Sequence, residues 1–453
     1  MIFLKRKRLV FWLLKAYLKR WRKTILISFV IGLLGFFLLR YGVNYFIPLL
    51  PFVTEEKIGI EGAYALEDLP PTILSKVSVG LTKLDKNYNV VPAAAKRWEV
   101  RDNGKTYIFY LDDNYRFSDK TKLTSELIKY DFTDAVTQTP NKNTIIFKLK
   151  DSYSPFLVTV TRPIFKNGFV GIGDYKVQSI DLNGDFVQSV SLRSLKEQNK
   201  VITYQFYPTQ EALKTAFALG EIDKALGLTD IDFENTSFTK YPDVLVQKRL
   251  DDQNLVTVFY NTRDKNLSDK RLRAALSYAI PDEFLQGKRN YGSFSPNSWV
   301  SHGGLTTYNQ DFDHSKLLLS ESDSFKSNKN LKFELKTFPK YKAIAQKIKE
   351  SWEKVGIKVS ITTVDTFPET FEMFLGDFKV PKDPDQYILW HSDQVSNITG
   401  YKNLRIDKLL EDGRQTIDVN ERKKIYSDFQ KYLLDDSPAS FILFSYSFEV
   451  TRR

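Results

Sequence analysis

Residues 92–115 read PAAAKRWEVRDNGKTYIFYLDDNY. Within this stretch Tyr107 to Leu111 alternates its side chains with the period of two that a half-buried strand requires, and Asn103-Gly104 just ahead of it is a hairpin-opening turn signal. A strand–turn–strand unit is therefore expected, with Trp98 as its apolar plug. Thr144 to Leu149 alternates in the same way and adds a strand.

Helical periodicity takes over further along. Arg271–Ile280 reads RLRAALSYAI, with Leu272, Ala275, Leu276 and Ala279 on one face and the arginines on the other, as in a half-buried helix. Tyr341 to Val355 repeats the pattern through Ile344, Ile348 and Trp352, and Gly356 stands where a left-handed cap ends a helix. Ile357 to Val364 then alternates apolar with polar, completing a helix–strand unit. Asp418 to Leu434 opens with Asp418 and Glu421 in capping positions and carries Ile425, Phe429 and Leu433 as a stripe; it is the last long helix. Strands mixed with amphipathic helices define an α/β or α+β body.

At 453 residues, with 42% apolar and 14% aromatic content, the chain is long enough for two or three domains with real cores. Its formal charge of +11 is located at one end: residues 1–50 hold ten Lys or Arg and no acid, which leaves 56 basic against 55 acidic residues elsewhere. A nearly neutral body argues against nucleic acid as a partner. The chain has no cysteine, which excludes disulfides, thiolate metal sites, thiol nucleophiles and cysteine-linked lipid. Its three histidines, His302, His314 and His391, are scattered; the first two are expected in loops, and no metal or other cofactor is called for.

Ile25 to Leu39 is an uncharged apolar run preceded by nine positive charges, with Arg40, Tyr41, Tyr45 and Phe46 placed to meet a membrane interface. The reading is an uncleaved signal anchor over 24–47, N-terminus inside, with residues 1–23 lying as a basic amphipathic segment on the cytoplasmic membrane surface. The alternative is a buried core helix. No His-Glu-x-x-His, Gly-x-Ser-x-Gly or phosphate loop occurs, and the Asp383/Asp385 pair around Pro384 reads as a turn; an enzyme is not expected.

Taken in order, several segments resemble the receptors that bind peptides and nickel for ABC importers, the family 5 solute-binding proteins. Residues 92–115 resemble that family's W-E-V…D-G-x-T-Y-x-F-x-L stretch, continued by Phe117-Ser118-Asp119, Leu123-Thr124 and Tyr130-Asp131-Phe132. GIGDY at 171–175, the run 212–223, the segments 259–280 and 345–365, and Asp383 to Leu410 follow its later motifs. The resemblance spans about Gly62 to Phe448. It implies an α/β, two-lobed periplasmic-binding-protein-like fold of type II, large peptide-binding class, here preceded by one transmembrane helix. Lobe I would be 52–259 with 438–453 returning to it, and lobe II 260–437, the chain crossing near Val258–Asn261 and Asp436–Ser440. A monomer would capture a peptide or similar elongated polar solute by hinge closure and hand it to an ABC permease, with residues 1–47 in membrane lipid. The second hypothesis is a tethered binding or sensory module uncoupled from import.

One departure concerns the carboxylate that, in peptide-binding members, precedes the Asp-Pro-Asp element and holds the ligand's amino group. Val380 and Lys382 stand there, and neither can pair with an ammonium, so Asp383 or Asp385 is the candidate substitute. Trp390, His391 and Ser392, after an apolar strand at Tyr387 to Leu389, are the first choice for ligand contact; the alternative is a core tryptophan and a locally bonded histidine. Asn397 and Tyr401 border the cleft by resemblance, or cap their loop. Tyr260-Asn261 is a hinge candidate, and Trp299 lies in the loop-like run SFSPNSWVSHGG. Gly171 and Gly173 are expected to serve turns.

Overall fold

The computed structural model describes residues 2–37, 40, 53–197, 199–300 and 305–453, and of residues 2–11, 13 and 14 the backbone alone. The chain divides into two compact units, residues 1–55 with 197–201, and residues 56–196 with 202–453. In the first, one helix of 36 residues, Ile2–Phe37, runs without a break through the expected boundary at residue 23. Leu26, Phe29 and Ile31 on it are 60%, 67% and 64% exposed. No helix among the described residues is long and apolar enough to cross a membrane. Among the described residues, only 24–37 of the helix follow its last charge at Lys23, a rise of about 21 Å against a hydrocarbon core of about 30 Å. The remainder of the expected span, with Tyr41, Tyr45 and Phe46, lies outside the described residues, as do Pro48–Pro51 and His302.

Strand β1 (Thr54–Glu61) is followed by a small hairpin, β2 (Thr82–Leu84) and β3 (Val90–Pro92), and by β4 (Ala95–Arg101), β5 (Thr106–Leu111), β6 (Ala135–Asn141) and β7 (Thr144–Leu149). The last four form their own sheet in the order β4-β5-β7-β6. The turn at Asn103-Gly104 joins β4 to β5, with Asp102, Asn103 and Gly104 all at positive φ (53°, 50° and 84°). Trp98 sits opposite Phe109 and packs on the Tyr107–Phe147–Phe156 core, as its role of plug requires.

The main sheet follows with β8 (Tyr175–Asn183), β9 (Phe186–Ser194), β10 (Lys200–Tyr207) and β11 (Lys224–Leu228), a two-stranded ribbon of β12 (Asp232–Phe233) and β13 (Thr236–Ser237), then the 17-residue β14 (Val244–Tyr260). It is completed by β15 (Gly287–Arg289), β16 (Lys332–Thr337), β17 (Lys358–Thr363), β18 (Met373–Lys379) and β19 (Ala439–Arg452). The order is β17-β16-β18-β14-β19-β11-β1-β10-β9-β8, with β15 also on β19. Two long antiparallel strands, β14 and β19, thus hold the sheet together. Their register shifts twice: between Val256 and Thr257 and, more widely, where Leu250 pairs with Tyr446 and Leu255 with Phe444, so that Asp251–Asn254 bulge out opposite a single residue. On one side of the bulge β19 also pairs β11; on the other β14 pairs β18 from Asn254 onward.

Helix Lys342–Lys354 buries Ile344, Ile348 and Trp352, Gly356 closes it at φ 93°, and β17 follows in parallel with β16. Helix Val419–Asp436 is capped by the Asp418 carboxylate, which accepts the Glu421 N–H at 2.9 Å. Helix Lys270–Tyr278 buries Leu272, Ala275 and Leu276 as expected, but only one of its arginines faces solvent. Arg273 is 4% exposed and donates to the carbonyls of Leu267, Ser268, Asp436 and Ser437, because a guanidinium can serve several chain ends at once. His314 is in helix Phe312–Glu321 rather than a loop, its ring edge-on to Tyr278 at 4.5 Å. Tyr387–Trp390 is one helical turn, not a strand: the Asp385 carboxylate accepts the Tyr387 N–H at 3.1 Å and starts it. Four apolar residues carry no period to distinguish the two. Gly171 and Gly173 do not sit at positive φ; a Cβ on either would meet the backbone ending helix Pro71–Val77 at 2.3 and 2.4 Å, so close approach is what they provide.

Candidate functional site

Strand β18 carries Phe374, Gly376 and Phe378 on one face, by the period of two. A Cβ at Gly376 would meet the Phe374 ring at 2.4 Å, so the glycine lets that ring lie along the strand. Phe338 from the end of β16 and Phe367 from the loop before β18 close on Phe374 edge to face, with centroids 5.3 and 5.2 Å away. Phe259 of β14, Trp390 and the segment 396–399 complete an apolar recess of 260 Å3. Polar groups stand within the same lining: Asp377, Ser396 and Thr399. The Asp377 carboxylate holds Lys340 Nζ at 3.1 Å. Burial pushes the Tyr341 phenol up, and Asp377 and Asp251 add to the shift, which puts this carboxylate near the bulge in β14.

Trp390 is 2% exposed, rests edge-on against Phe441 and donates its indole N–H to Gln386 Oε1 at 3.0 Å. It is a core tryptophan that also lines the recess. Asn397 donates to Tyr401 O at 2.8 Å and to the carbonyls of Trp390 and His391, and accepts the Thr399 hydroxyl, which makes it the cap of its loop. Asn261 donates to Phe371 O at 3.1 Å and so ties down the loop bearing Phe367. Tyr260 is fully buried with its hydroxyl on Ser440, and the Tyr401 hydroxyl is held by Asp436 at 2.6 Å.

The carboxylates expected to meet a ligand face the other way. Asp383, 7% exposed, receives both terminal nitrogens of Arg422 at 2.7 and 3.1 Å, and Asp385 receives Arg414 Nε at 2.8 Å. Burial pushes the Asp385 carboxyl up, against the opposing pull of Arg414. Trp299 covers the Arg422 guanidinium at 5.2 Å. His391 stacks on Tyr387 at 4.1 Å, accepts the Asp393 N–H at Nδ1 and faces Glu411 at 3.4 Å. Ser392 donates its backbone N–H to Asp407, and its own hydroxyl is buried without a partner. Val380 is 3% exposed in the apolar core, donating its N–H to Gln253 O, while Lys382 is exposed.

Beside this ionic frame lies a cavity of 780 Å3 between the four-stranded sheet and helices Tyr387–Trp390 and Leu404–Gln415; Phe132, Tyr153, Tyr387 and Arg414 line it with Asp131, Asp134, Asp151 and Glu411. Among the described residues no group of three or more His, Asp or Glu could hold a metal ion. The recess residues Phe338, Phe367, Phe374, Phe378 and Asp377 were not singled out from sequence. Their only signal was the density of phenylalanine in TFPETFEMFLGDF (366–378).

A sheet knit by two long shared strands, β14 and β19, thus carries an aromatic recess on one side of helix Tyr387–Trp390 and a larger polar cavity on the other. The chain belongs to the bacterial extracellular solute-binding proteins, family 5, whose middle region it matches over residues 89–398. It is similar to the dipeptide-binding protein of Escherichia coli K12, 22% identical over 80% of this chain and 82% of that one. The nickel-binding periplasmic protein of the same organism is 24% identical over 81% and 84%. Among solved structures, NikZ of Campylobacter jejuni, determined with Ni(L-His), superposes with a TM-score of 0.71 at 20% identity over 88% of this chain and 94% of its own. The substrate-binding protein CtaP of Listeria monocytogenes superposes at 0.72, with 21% identity and coverage of 88% and 94%. These confirm the two-lobed, periplasmic-binding-protein-like α/β fold.

Proposed function

We propose that this chain captures a peptide or similar elongated polar solute between lobe I (52–259 with 438–453) and lobe II (260–437) and delivers it to an ABC permease. Membership of the family over 89–398 carries this reading, and the interrupted β14/β19 pair supports it. A bulge of four residues at Asp251–Asn254, a few residues before the crossing at Val258–Asn261, is a place where a sheet can change angle, and this supports a passage between lobes near it. The ionic frame belongs to lobe II, and so does the aromatic recess apart from Phe259 at the lobe boundary. Trp390, with Asn397 and Asn261 positioning its surroundings, meets the solute at the recess; Asp385 and His391 act through Arg414 and Tyr387 on the neighbouring cavity; Asp383, Ser392, Tyr401, Tyr260 and Trp299 hold these parts in place. The receptor works as a monomer.

The same proposal places residues 24–47 in the membrane, with 1–23 on its cytoplasmic surface. The exposed apolar side chains of helix Ile2–Phe37 and the nine positive charges before Thr24 support it. The test is isothermal titration of the full-length protein in detergent with di- and tripeptides, together with mass spectrometry of whatever membrane proteins co-purify. Peptide binding with permease subunits in the preparation is expected; absence of both overturns the proposal. Extraction by carbonate at high pH would overturn the anchor alone.

A further inference from the structure

The recess on β18 has a size and a lining that restrict what can enter it. Its 260 Å3 falls below the roughly 300–1,000 Å3 of pockets that take a whole drug-sized ligand, yet exceeds the roughly 150 Å3 that suffices for benzene. One ring-bearing side chain fits; an extended solute does not.

The rings already present are arranged edge to face around Phe374, with interplanar angles of 89° for Phe338 and 78° for Phe367. A further ring can join such an arrangement with its positive edge against a negative face. Phe367 stands at the mouth and is 49% exposed, which is unusual for so large an apolar side chain beside a cavity. The polar groups of the lining are uniform in kind. The Thr399 hydroxyl donates to Asn397 Oδ1 at 2.8 Å and accepts the Tyr401 N–H at 3.3 Å, the Ser396 hydroxyl donates to Ile388 O, and the Asp377 carboxylate, on the face of β18 opposite Phe374 and Phe378, is held by Lys340. Both hydroxyls at the recess therefore have their protons committed and offer no donor to an incoming group. A carboxylate or phosphate of the solute entering beside them would be left without donors.

We infer that this recess is the specificity pocket for one aromatic side chain of the captured solute. The inference rests on the solute-capture reading and assigns its selectivity. It also accounts for a site without a carboxylate at Val380: recognition passes from the amino terminus of the solute to a side chain.

The test is calorimetric titration of the full-length protein with Ala-Phe-Ala, Ala-Trp-Ala, Ala-Ala-Ala and Ala-Asp-Ala, repeated on Phe367→Ala and Ser396→Trp. Phe367 is half exposed, so its truncation leaves the fold intact even where Ser396→Trp does not. The aromatic peptides should bind about tenfold to a hundredfold more tightly than Ala-Ala-Ala, the gain from burying one large apolar side chain. Phe367→Ala should narrow that gap, and Ser396→Trp, which fills the recess, should close it. Equal affinity for all four, or preference for Ala-Asp-Ala, would overturn the pocket and leave solute capture standing. No binding of any tripeptide would overturn peptide capture itself.

Discussion

Helix Tyr387–Trp390 separates two regions that solve opposite problems. On the Trp390 side the recess is built from phenylalanines, with room left among them. On the Tyr387 side Asp383, Asp385, Arg414 and Arg422 meet one another at 2.7 to 3.1 Å, with aromatic rings over the guanidinium groups. The charged residues, which look like ligand-binding groups in the sequence, are engaged with each other. The residues with open space before them are apolar. A buried ion pair contributes little stability over an apolar replacement, but it fixes geometry, since breaking it leaves a stranded charge. The frame is therefore built as a scaffold, and the open space lies on the apolar side.

The largest effect should come from the frame. Arg422→Ala strands the Asp383 carboxylate and removes the hydrogen bond to Gly413 O, and should lower unfolding stability by about 3–5 kcal/mol in urea titration. The double change Arg422→Met with Asp383→Asn should recover most of the loss. If it does not, the pair is more than a geometric brace.

On the recess side, Gly376→Ala forces a Cβ toward the Phe374 ring and should cost about 1–3 kcal/mol by overpacking, with the frame untouched. A neutral result would mean that Phe374 is free to move and the recess is soft. Ser154 connects the four-stranded sheet to the frame, its hydroxyl donating to Gly413 O at 3.1 Å and its N–H to Arg414 O at 2.7 Å. Ser154→Ala should cost about 1 kcal/mol, the worth of one buried hydrogen bond, by the same urea assay.

The smallest effect lies away from both regions. Hydrogen bonds from Arg97, Arg101 and Tyr110 hold the Glu99 carboxyl down at about 2, from an ordinary value of 4.5. A depressed carboxylate contributes stability that is present above 4.5 and lost as pH falls toward 2. The exposed position of these partners makes the contribution slight, and Glu99→Gln should flatten the acid limb of thermal stability over that window alone. An unchanged acid limb would show that the Arg97–Glu99–Arg101 cluster does not hold in solution.

Local pattern was enough for the strand–turn–strand at 95–111, for the helix–glycine–strand unit around Gly356 and for the cap at Asp418, because each depends on neighbours within a few residues. It was not enough for Tyr387–Trp390, where four apolar residues read equally as strand or helix until Asp385 accepts the Tyr387 N–H. Arg273 was misread for a related reason. A helical face is apolar or polar on average, and only the arrival of the Asp436–Ser437 carbonyls from another part of the chain makes burial of that guanidinium favourable.

The candidate site divides in the same way. Trp390 was open to two readings, ligand contact or core, and the structure places it in the core at the edge of the recess. Asp383 and Asp385 were not legible as frame residues, because their partners Arg422 and Arg414 lie 39 and 29 positions away. Order along the chain therefore determined the family, the α/β class and the basic N-terminal end, all of which depend on motif sequence and on charge counted by position. Tertiary structure alone decided which carboxylates are engaged and which aromatic rings line open space, because both depend on contacts between residues that no local spacing brings together.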